Sequence, residues 1–331
     1  MTNALEKAQA QSVLDELGVR LVRHKLPFRL NHVNCFLAEG DAGWTIIDTG
    51  LNNDATRELW DHEIGDNRVT HILLTHYHPD HFGYAGSLQQ KTGARVSMSK
   101  TDATAGVKSW DNEFLQQLPG YYRAAGIPQA AAQEMADNTR DFQPLIFPLP
   151  EVNHYFEEGE TVRIGHFDYE VLFVPGHSDG MVCFYQREKN VLLSADHILP
   201  RITPNISYWF HGDPNPLLTY MTSLKKVRKL DARWVIPSHG SPFQGANRRI
   251  DELLAHHEER LEATWQMLEQ PLTIFEVRER LFDRPLTVHE MRFAVGETLA
   301  HLEYLRADGR CTRTQDKGRW IYKKAEKDVT E

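Results

Sequence analysis

Four apolar runs of this chain each stop at a side chain able to bind a metal ion. "HILLTH" ends at His76, "VLFVPGH" at His177, "VLLSAD" at Asp196 and "WVIPSH" at His239. Short runs rich in Val, Ile and Leu, bounded by Gly, Pro or Ser, read as buried strands followed by loops. Strand ends at one sheet edge lie close in space, and loops there carry function on a rigid scaffold. The pattern therefore predicts an edge where these loops converge.

The first loop is the densest. "THYHPDHFG", residues 75–83, places His76, His78, Asp80 and His81 within six positions. On an extended backbone His76 and His78 point to one side, and a turn at Pro79 swings Asp80 and His81 elsewhere. A lone His at a strand end is more often a hydrogen-bonding residue than a ligand. Four ligand types in one short loop, with three more at matching strand ends, reverse that expectation. Neutral imidazole and carboxylate suit zinc, and four-coordinate zinc takes three or four of them. The set His76, His78, Asp80, His81, His177, Asp196 and His239 is too large for one tetrahedral ion. It suits two ions sharing a bridging carboxylate.

The intervening sequence alternates strand and helix. "VRLVRHKLPF" and "VNCFLAEGDAGWTIIDTG" read as strands, the second turning at Gly40 to Gly43. "TRELWDHEI" and "AGSLQQKTG" read as helices, the latter closed by Gly93, and "ARVSMS" as a strand. The class implied is α/β and layered. A helical insertion over about 101–145 carries Trp110, Phe114, Tyr121, Tyr122 and Phe142. From Arg248 the pattern is three helices and a hairpin, resembling a winged-helix module. The expected domains are thus 1–247, catalytic, and 248–331, helical and winged-helix-like.

Net charge is -9, which disfavours non-specific binding to nucleic acid or anionic lipid. Three scattered cysteines, Cys35, Cys183 and Cys311, make no disulfide framework. The first residues lack the apolar core of a signal peptide, so a cytoplasmic protein is expected.

"THYHPDHFG" resembles the H-x-H-x-D-H signature of the metallo-β-lactamase superfamily, and His177, Asp196 and His239 follow in that family's order. "IIDTG" and "VPGHSDGMVCFY" resemble two further segments of it. The resemblance implies an αββα sandwich with a dinuclear site at one edge. It assigns His76, His78 and His177 to one ion, and Asp80, His81 and His239 to the other. Asp196 would bridge, and Asp48 would orient ligands from behind. The implied cofactors are two divalent ions, zinc foremost, with iron or manganese as alternatives. Asp196 stands where many dizinc β-lactamases use Cys, and His78 where flavodiiron members carry Glu. The tail looks most like β-lactamase-like hydrolases with a C-terminal winged helix. It is also distantly similar to that of an endoribonuclease.

The resemblance implies a metal-dependent hydrolase in which two ions generate hydroxide, with Asp80 holding the nucleophile and accepting its proton. The substrate expected is a small ester, thioester or lactone, and the alternative is single-stranded RNA. Hydrolysis of β-lactams and a DNA-binding regulatory role rank lower. The partner expected is a small molecule, with neither DNA nor membrane, and the assembly allowed for is a homodimer. Tyr208, in "NISYWF", and His32, after the first strand, are candidates to border the substrate. His256 and His257 are expected on a helix surface, and His197 behind the ligands or in the core.

Overall fold

The computed structural model describes residues 4–326. No helix among them is long and apolar enough to cross a membrane. The chain divides into two compact units, each discontinuous in sequence.

The first unit comprises Met1–Gly106, Phe142–Pro204 and Ser223–Ile250. It holds two six-stranded sheets. One contains β1 (Val19–Lys25), β2 (His32–Ala38), β3 (Trp44–Ile47), β4 (Val69–Leu73), β5 (Arg95–Ser99) and β6 (Val152–Phe156), in that order. The other contains β7 (Thr161–Ile164), β8 (Phe167–Phe173), β9 (Val182–Gln186), β10 (Val191–Ala195), β11 (Trp234–Pro237) and β12 (Phe243–Gln244), again in sequential order.

Period-two alternation builds the layers. Phe36, Ala38, Ile47 and Leu73 face inward and share one core with Val171, Val182, Phe184, Val191, Leu193 and Ile236 of the other sheet. Their neighbours Cys35, Leu37, Ile46 and Ile72 face outward into a second core, with Trp60 and Leu88. Those two side chains come from helices α2 (Asp54–Ile64) and α4 (Ala85–Thr92), which follow α1 (Ala4–Leu17) and flank the one-turn α3 (Pro79–Phe82). Asn53 caps α2 by accepting from Thr56 N, and Gly93 closes α4 in the left-handed region at φ 68°.

The sequence-based boundary near residue 247 groups the segments differently. The second unit gathers Val107–Asp141, Asn205–Thr222 and Asp251–Glu331. The start of the insertion, α5 (Lys100–Ser109), spans the division, whereas α6 (Asn112–Ala124) and α7 (Gln129–Arg140) lie in the second unit. The next helix, α8 (Pro216–Arg228), also crosses between units. The tail runs α9 (Ala246–Met267), β13 (Leu272–Thr273), α10 (Ile274–Leu281), α11 (Val288–Ala307), β14 (Cys311–Asp316) and β15 (Arg319–Lys324). Its three strands form one sheet, with β15 central. Capping boxes Thr273–Glu276 and Thr287–Glu290 start α10 and α11. The insertion joins this unit through specific contacts. Phe275 N donates to Ala125 O at 3.2 Å, and Arg292 Nη1 to Asn138 Oδ1 at 3.3 Å.

Contrary to the surface expectation, His257 is buried, with its ring 5.5 Å from those of both Tyr220 and His301. The helical pattern alone did not reveal that α9 is covered on that side. His256 beside it is half-buried.

Candidate metal centre

Strand direction brings the predicted residues together. β8 and β10 are each antiparallel to β9, and β11 is parallel to β10, so β8, β10 and β11 all run the same way. His177, Asp196 and His239 follow these three strands at one edge. His76 follows β4 in the other sheet. His78 is extended, at φ -66° and ψ 146°, and Pro79 then turns the chain into α3. That turn carries Asp80 and His81 toward His239, while the His81 ring stays 4.0 Å from that of His76.

The side chains meet in three overlapping groups: His76, His78 and His177; His76, His81 and Asp196; and Asp80, His81 and His239. Within each group the potential ligand atoms lie within 4.8 Å of one another. Asp196 Oδ2 lies 3.4 Å from His177 Nε2 and 3.2 Å from His239 Nε2, while its Oδ1 lies 3.6 Å from His81 Nε2. Asp80 Oδ2 lies 3.5 Å from His239 Nε2 and 3.7 Å from His81 Nε2. All but His78 and Asp80 are buried, and those two are half-buried.

Contacts behind the imidazoles decide which nitrogen each presents. His239 Nδ1 is 2.6 Å from the His32 carbonyl oxygen, which can only accept, so Nδ1 carries the proton. His81 Nδ1 lies 2.8 Å from Asp48 Oδ2 and donates to it. Thr75 Oγ1 donates to Asp48 Oδ2 at 2.8 Å, leaving a lone pair for His76 Nδ1 at 2.9 Å. When each ring is neutral, His76, His81 and His239 therefore all turn an Nε2 lone pair toward the cluster. These three nitrogens and Asp196 Oδ1 are buried, and among the described residues none meets a partner in good hydrogen-bond geometry.

That donor set fits divalent metal. Two ligands each about 2.1 Å from one ion at a tetrahedral angle stand about 3.4 Å apart. The carboxylate–imidazole separations above cluster around that spacing. From 3.2 to 3.7 Å, they lie at or beyond the upper end of hydrogen-bond distances between the same atoms.

Charge favours a cation here too. Burial opposes protonation of His81, but Asp80, Asp196 and Asp48 outweigh it and hold the imidazole well above its usual range. His239 is likewise raised against its burial, by Asp196 and Asp80. Burial would push the Asp196 carboxyl up, yet His239 and His81 bring it well below the usual range. His76, buried among His81, His78 and His177, is pushed well below its usual range and stays neutral.

The backbone at the site is unusual. Asp48 sits at φ 57° and Ala195, next to Asp196, at φ 46°. The β10–β11 register shifts between Leu193 and Ala195, a bulge that re-aims the following Asp196. Asp48 also accepts Thr75 N at 2.8 Å, so one fully buried carboxylate takes three donors.

His32 and Tyr208, the two candidates to border the substrate, fall in different units. His32 is beside His239, with its Nδ1 2.7 Å from Asn31 Oδ1 and its Nε2 accepting from Gly240 N at 2.9 Å. Tyr208 belongs to the second unit, where its ring lies 5.6 Å from that of Phe210. His197 is buried behind Asp196. Sequence reasoning missed Thr75 and Ser178, both adjacent to ligand-type histidines, and Asp102, which no motif marks.

Comparison with known proteins places this geometry in context. The sequence model of the metallo-beta-lactamase superfamily matches residues 29–239. A second, described as metallo-beta-lactamase-like, C-terminal domain, matches residues 261–325. The chain is 26% identical over 302 residues to the probable metallo-hydrolase YqjP of Bacillus subtilis (strain 168), covering 87% of this chain and 92% of that one. It is 28% identical over 172 residues to the hydroxyacylglutathione hydrolase GloC of Haemophilus influenzae, covering 52% and 69%. A crystal structure of a beta-lactamase domain protein from Burkholderia ambifaria superposes with TM-score 0.84 at 33% identity, covering 93% and 92%. The metallo-beta-lactamase family protein TTHA1429 from Thermus thermophilus gives TM-score 0.82 at 33% identity, covering 93% and 98%.

Proposed function

Because the chain belongs to the metallo-β-lactamase superfamily, we propose that it is a metal-dependent hydrolase of small esters, thioesters or lactones. The observation that carries this reading is the convergence of seven ligand-type side chains, three of whose imidazoles are held with Nε2 presented inward. His76, His78 and His177 would hold one divalent ion and Asp80, His81 and His239 the other, with Asp196 between them. Bound there, such ions supply Lewis acidity and lower the pKa of water toward neutrality, zinc being the ion best suited to these donors.

The chain's own groups do the rest. Asp48 and the His32 carbonyl oxygen fix the proton on His81 and His239 Nδ1, so neither ring can turn away. Asp80 directs Oδ2 at His81 and His239, which leaves Oδ1 to hold an incoming water and take its proton. Asp80 is the more exposed of the two cluster carboxylates, with a side chain at 19% against 8% for Asp196. That exposure supports reading it as the carboxylate that meets solvent and substrate.

An acyl substrate is supported by the relatives that are hydroxyacylglutathione hydrolases and by the net charge of -9, which gives a polyanion no long-range attraction. RNA cleavage would draw on Lys225, Lys226, Arg228, Arg248 and Arg249. Yet Arg249 donates to the carbonyl oxygens of Leu199 and Ile202, and Lys226 to Glu158 and the Phe173 oxygen. On this reading the partner is the small substrate, without DNA or membrane, and a homodimer is the assembly to test by sedimentation. The module that starts with α9 is read as winged-helix-like on its helix–strand–helix–helix–hairpin order.

The test combines elemental analysis with a rate panel. Purified protein should hold about two first-row divalent ions per chain. It should cleave an ester, thioester or lactone with kcat/KM well above its action on single-stranded RNA or nitrocefin. Efficient RNA cleavage that disappears in His76→Ala, with every carbonyl substrate at background, would overturn the substrate assignment.

A further inference from the structure

We propose that Asp102 is a positioning residue for the three-imidazole half of the centre, a single buried carboxylate that sets the two backbone segments bearing His76, His78 and His177. The inference rests on the reading above that this group binds an ion.

Asp102 lies in the first turn of α5 and is fully buried. Its Oδ2 accepts from Ser178 Oγ at 2.6 Å and its Oδ1 from Gly180 N at 2.6 Å. The Tyr77 backbone N–H also pulls the carboxyl down, as the weakest of its three hydrogen-bonding influences. Tyr77 is the residue between His76 and His78, and Ser178 is the residue after His177. One side chain therefore links the two loops that supply this imidazole group. It does so through the Ser178 hydroxyl and the backbone of Gly180 and Tyr77.

The surrounding packing leaves little slack. Asp102 N donates to Ser99 Oγ at 3.1 Å, which anchors the start of α5 to the end of β5. A Cβ added at Gly180 would run into Ser99 Oγ and stand 2.8 Å from Thr101 Cβ. A Cβ added at Gly106, one turn further along α5, would lie 3.1 Å from Tyr77 Cβ. The helix is thus pressed against both loops, and the carboxylate is the polar key between them. Burial pushes its carboxyl up to about 7 even though Ser178 and Gly180 pull it down. Asp48 plays the corresponding part for the other half, directly through His81 Nδ1.

The test is zinc titration of the metal-free, full-length protein against a chromophoric chelator, comparing wild type, Asp102→Ala, His78→Ala and the double variant. Wild type should bind two zinc ions. Asp102→Ala should lose about tenfold or more in affinity at one of them and nothing at the other, the scale of lost outer-sphere support. In the His78→Ala background, which removes the three-imidazole position, adding Asp102→Ala should leave the remaining ion's affinity unchanged. Purely structural destabilisation would lower the thermal midpoint without distinguishing the two ions. If Asp102→Ala does not fold, Asp102→Asn carries the test. It keeps an acceptor for Gly180 N but sets an NH2 group where Oδ2 accepts from Ser178 Oγ, and the hydroxyl can turn to accept, so a smaller loss at the same ion is expected. Two wild-type affinities in Asp102→Ala (or in Asp102→Asn, where that variant stands in), or equal losses at both ions, would overturn this inference alone. Wild type that binds fewer than two ions would overturn it together with the functional reading.

Discussion

Asp80 and Asp48 flank the same imidazole, His81, and do different work. Asp48 holds Nδ1 from behind at 2.8 Å, whereas Asp80 faces Nε2 at 3.7 Å from the open side. Their substitutions should therefore separate. Asp80→Asn removes the group able to take a proton and should lower kcat by about a hundredfold with zinc at saturation. Asp48→Asn should weaken zinc binding by about ten- to a hundredfold, with activity largely regained at high zinc. Steady-state kinetics across a zinc series distinguishes the two. Near-normal kcat for saturated Asp80→Asn would reduce Asp80 to a ligand. Asp48 was marked only by the resemblance of "IIDTG" to a family segment. Thr75 was not, since nothing local reveals that its hydroxyl relays Asp48 to His76.

At the scale of elements, α9 and α11 enclose histidines that the fold keeps neutral. Burial, with His301, His256 and Arg260 nearby, pushes His257 down to about 3. Burial likewise pushes His301 down to about 4. Both lie below the unfolded value near 6.5, so as pH falls the unfolded chain takes up protons first. Stability is fully present above about pH 6.5 and is lost progressively toward the folded values, by at most about 1.4 kcal/mol per pH unit for each ring. Denaturation midpoints of His257→Gln measured from pH 7 to 4.5 should fall less steeply than those of wild type. Identical slopes would show that the ring is not buried neutral. α11 carries a second expectation. Glu303 is buried, and Arg306 and Arg313 donate to it at 2.8 and 2.9 Å, while only Arg306 and Ala307 of this helix are exposed. A helix with its charges spent internally offers few groups to a DNA groove, so none is expected to be read. Fluorescence anisotropy should show no duplex binding at physiological salt, and a steep salt-dependent signal would refute this.

For the whole molecule, the discontinuous units make a truncation informative. Removing the chain from Arg248 onward takes α11 and α10 away from the insertion helices. Ala132, Met135 and Ala136 of α7 are buried, Asn138 loses Arg292, and the Ala125 oxygen loses Phe275 N. The expected product aggregates or binds a hydrophobic dye, because residues 107–141 lose the partners that complete their core. A monomeric, dye-negative, active fragment would show that the insertion folds without the tail. The sequence placed the insertion with its neighbours along the chain, since contiguity is the only grouping a sequence displays. The grouping with residues 251–331 depends on contacts between segments over a hundred positions apart, such as Asn138 with Arg292.

The amino-acid sequence by itself determined the strand–helix alternation of a layered α/β unit, caps such as Gly93, and the seven ligand-type residues, four at strand ends and three further along the first loop. Each of these is a local statement about period, turn chemistry or residue type. Only tertiary structure decided which nitrogen each imidazole presents, because that is set by Asp48, Thr75 and the His32 carbonyl, two of them more than twenty positions from a ring they fix. It also decided that Asp102 belongs to the centre and that His257 is buried. The physical reason is common to all three. A hydrogen bond or a covered surface is a relation between segments brought together by packing, and the chain's order carries no record of it.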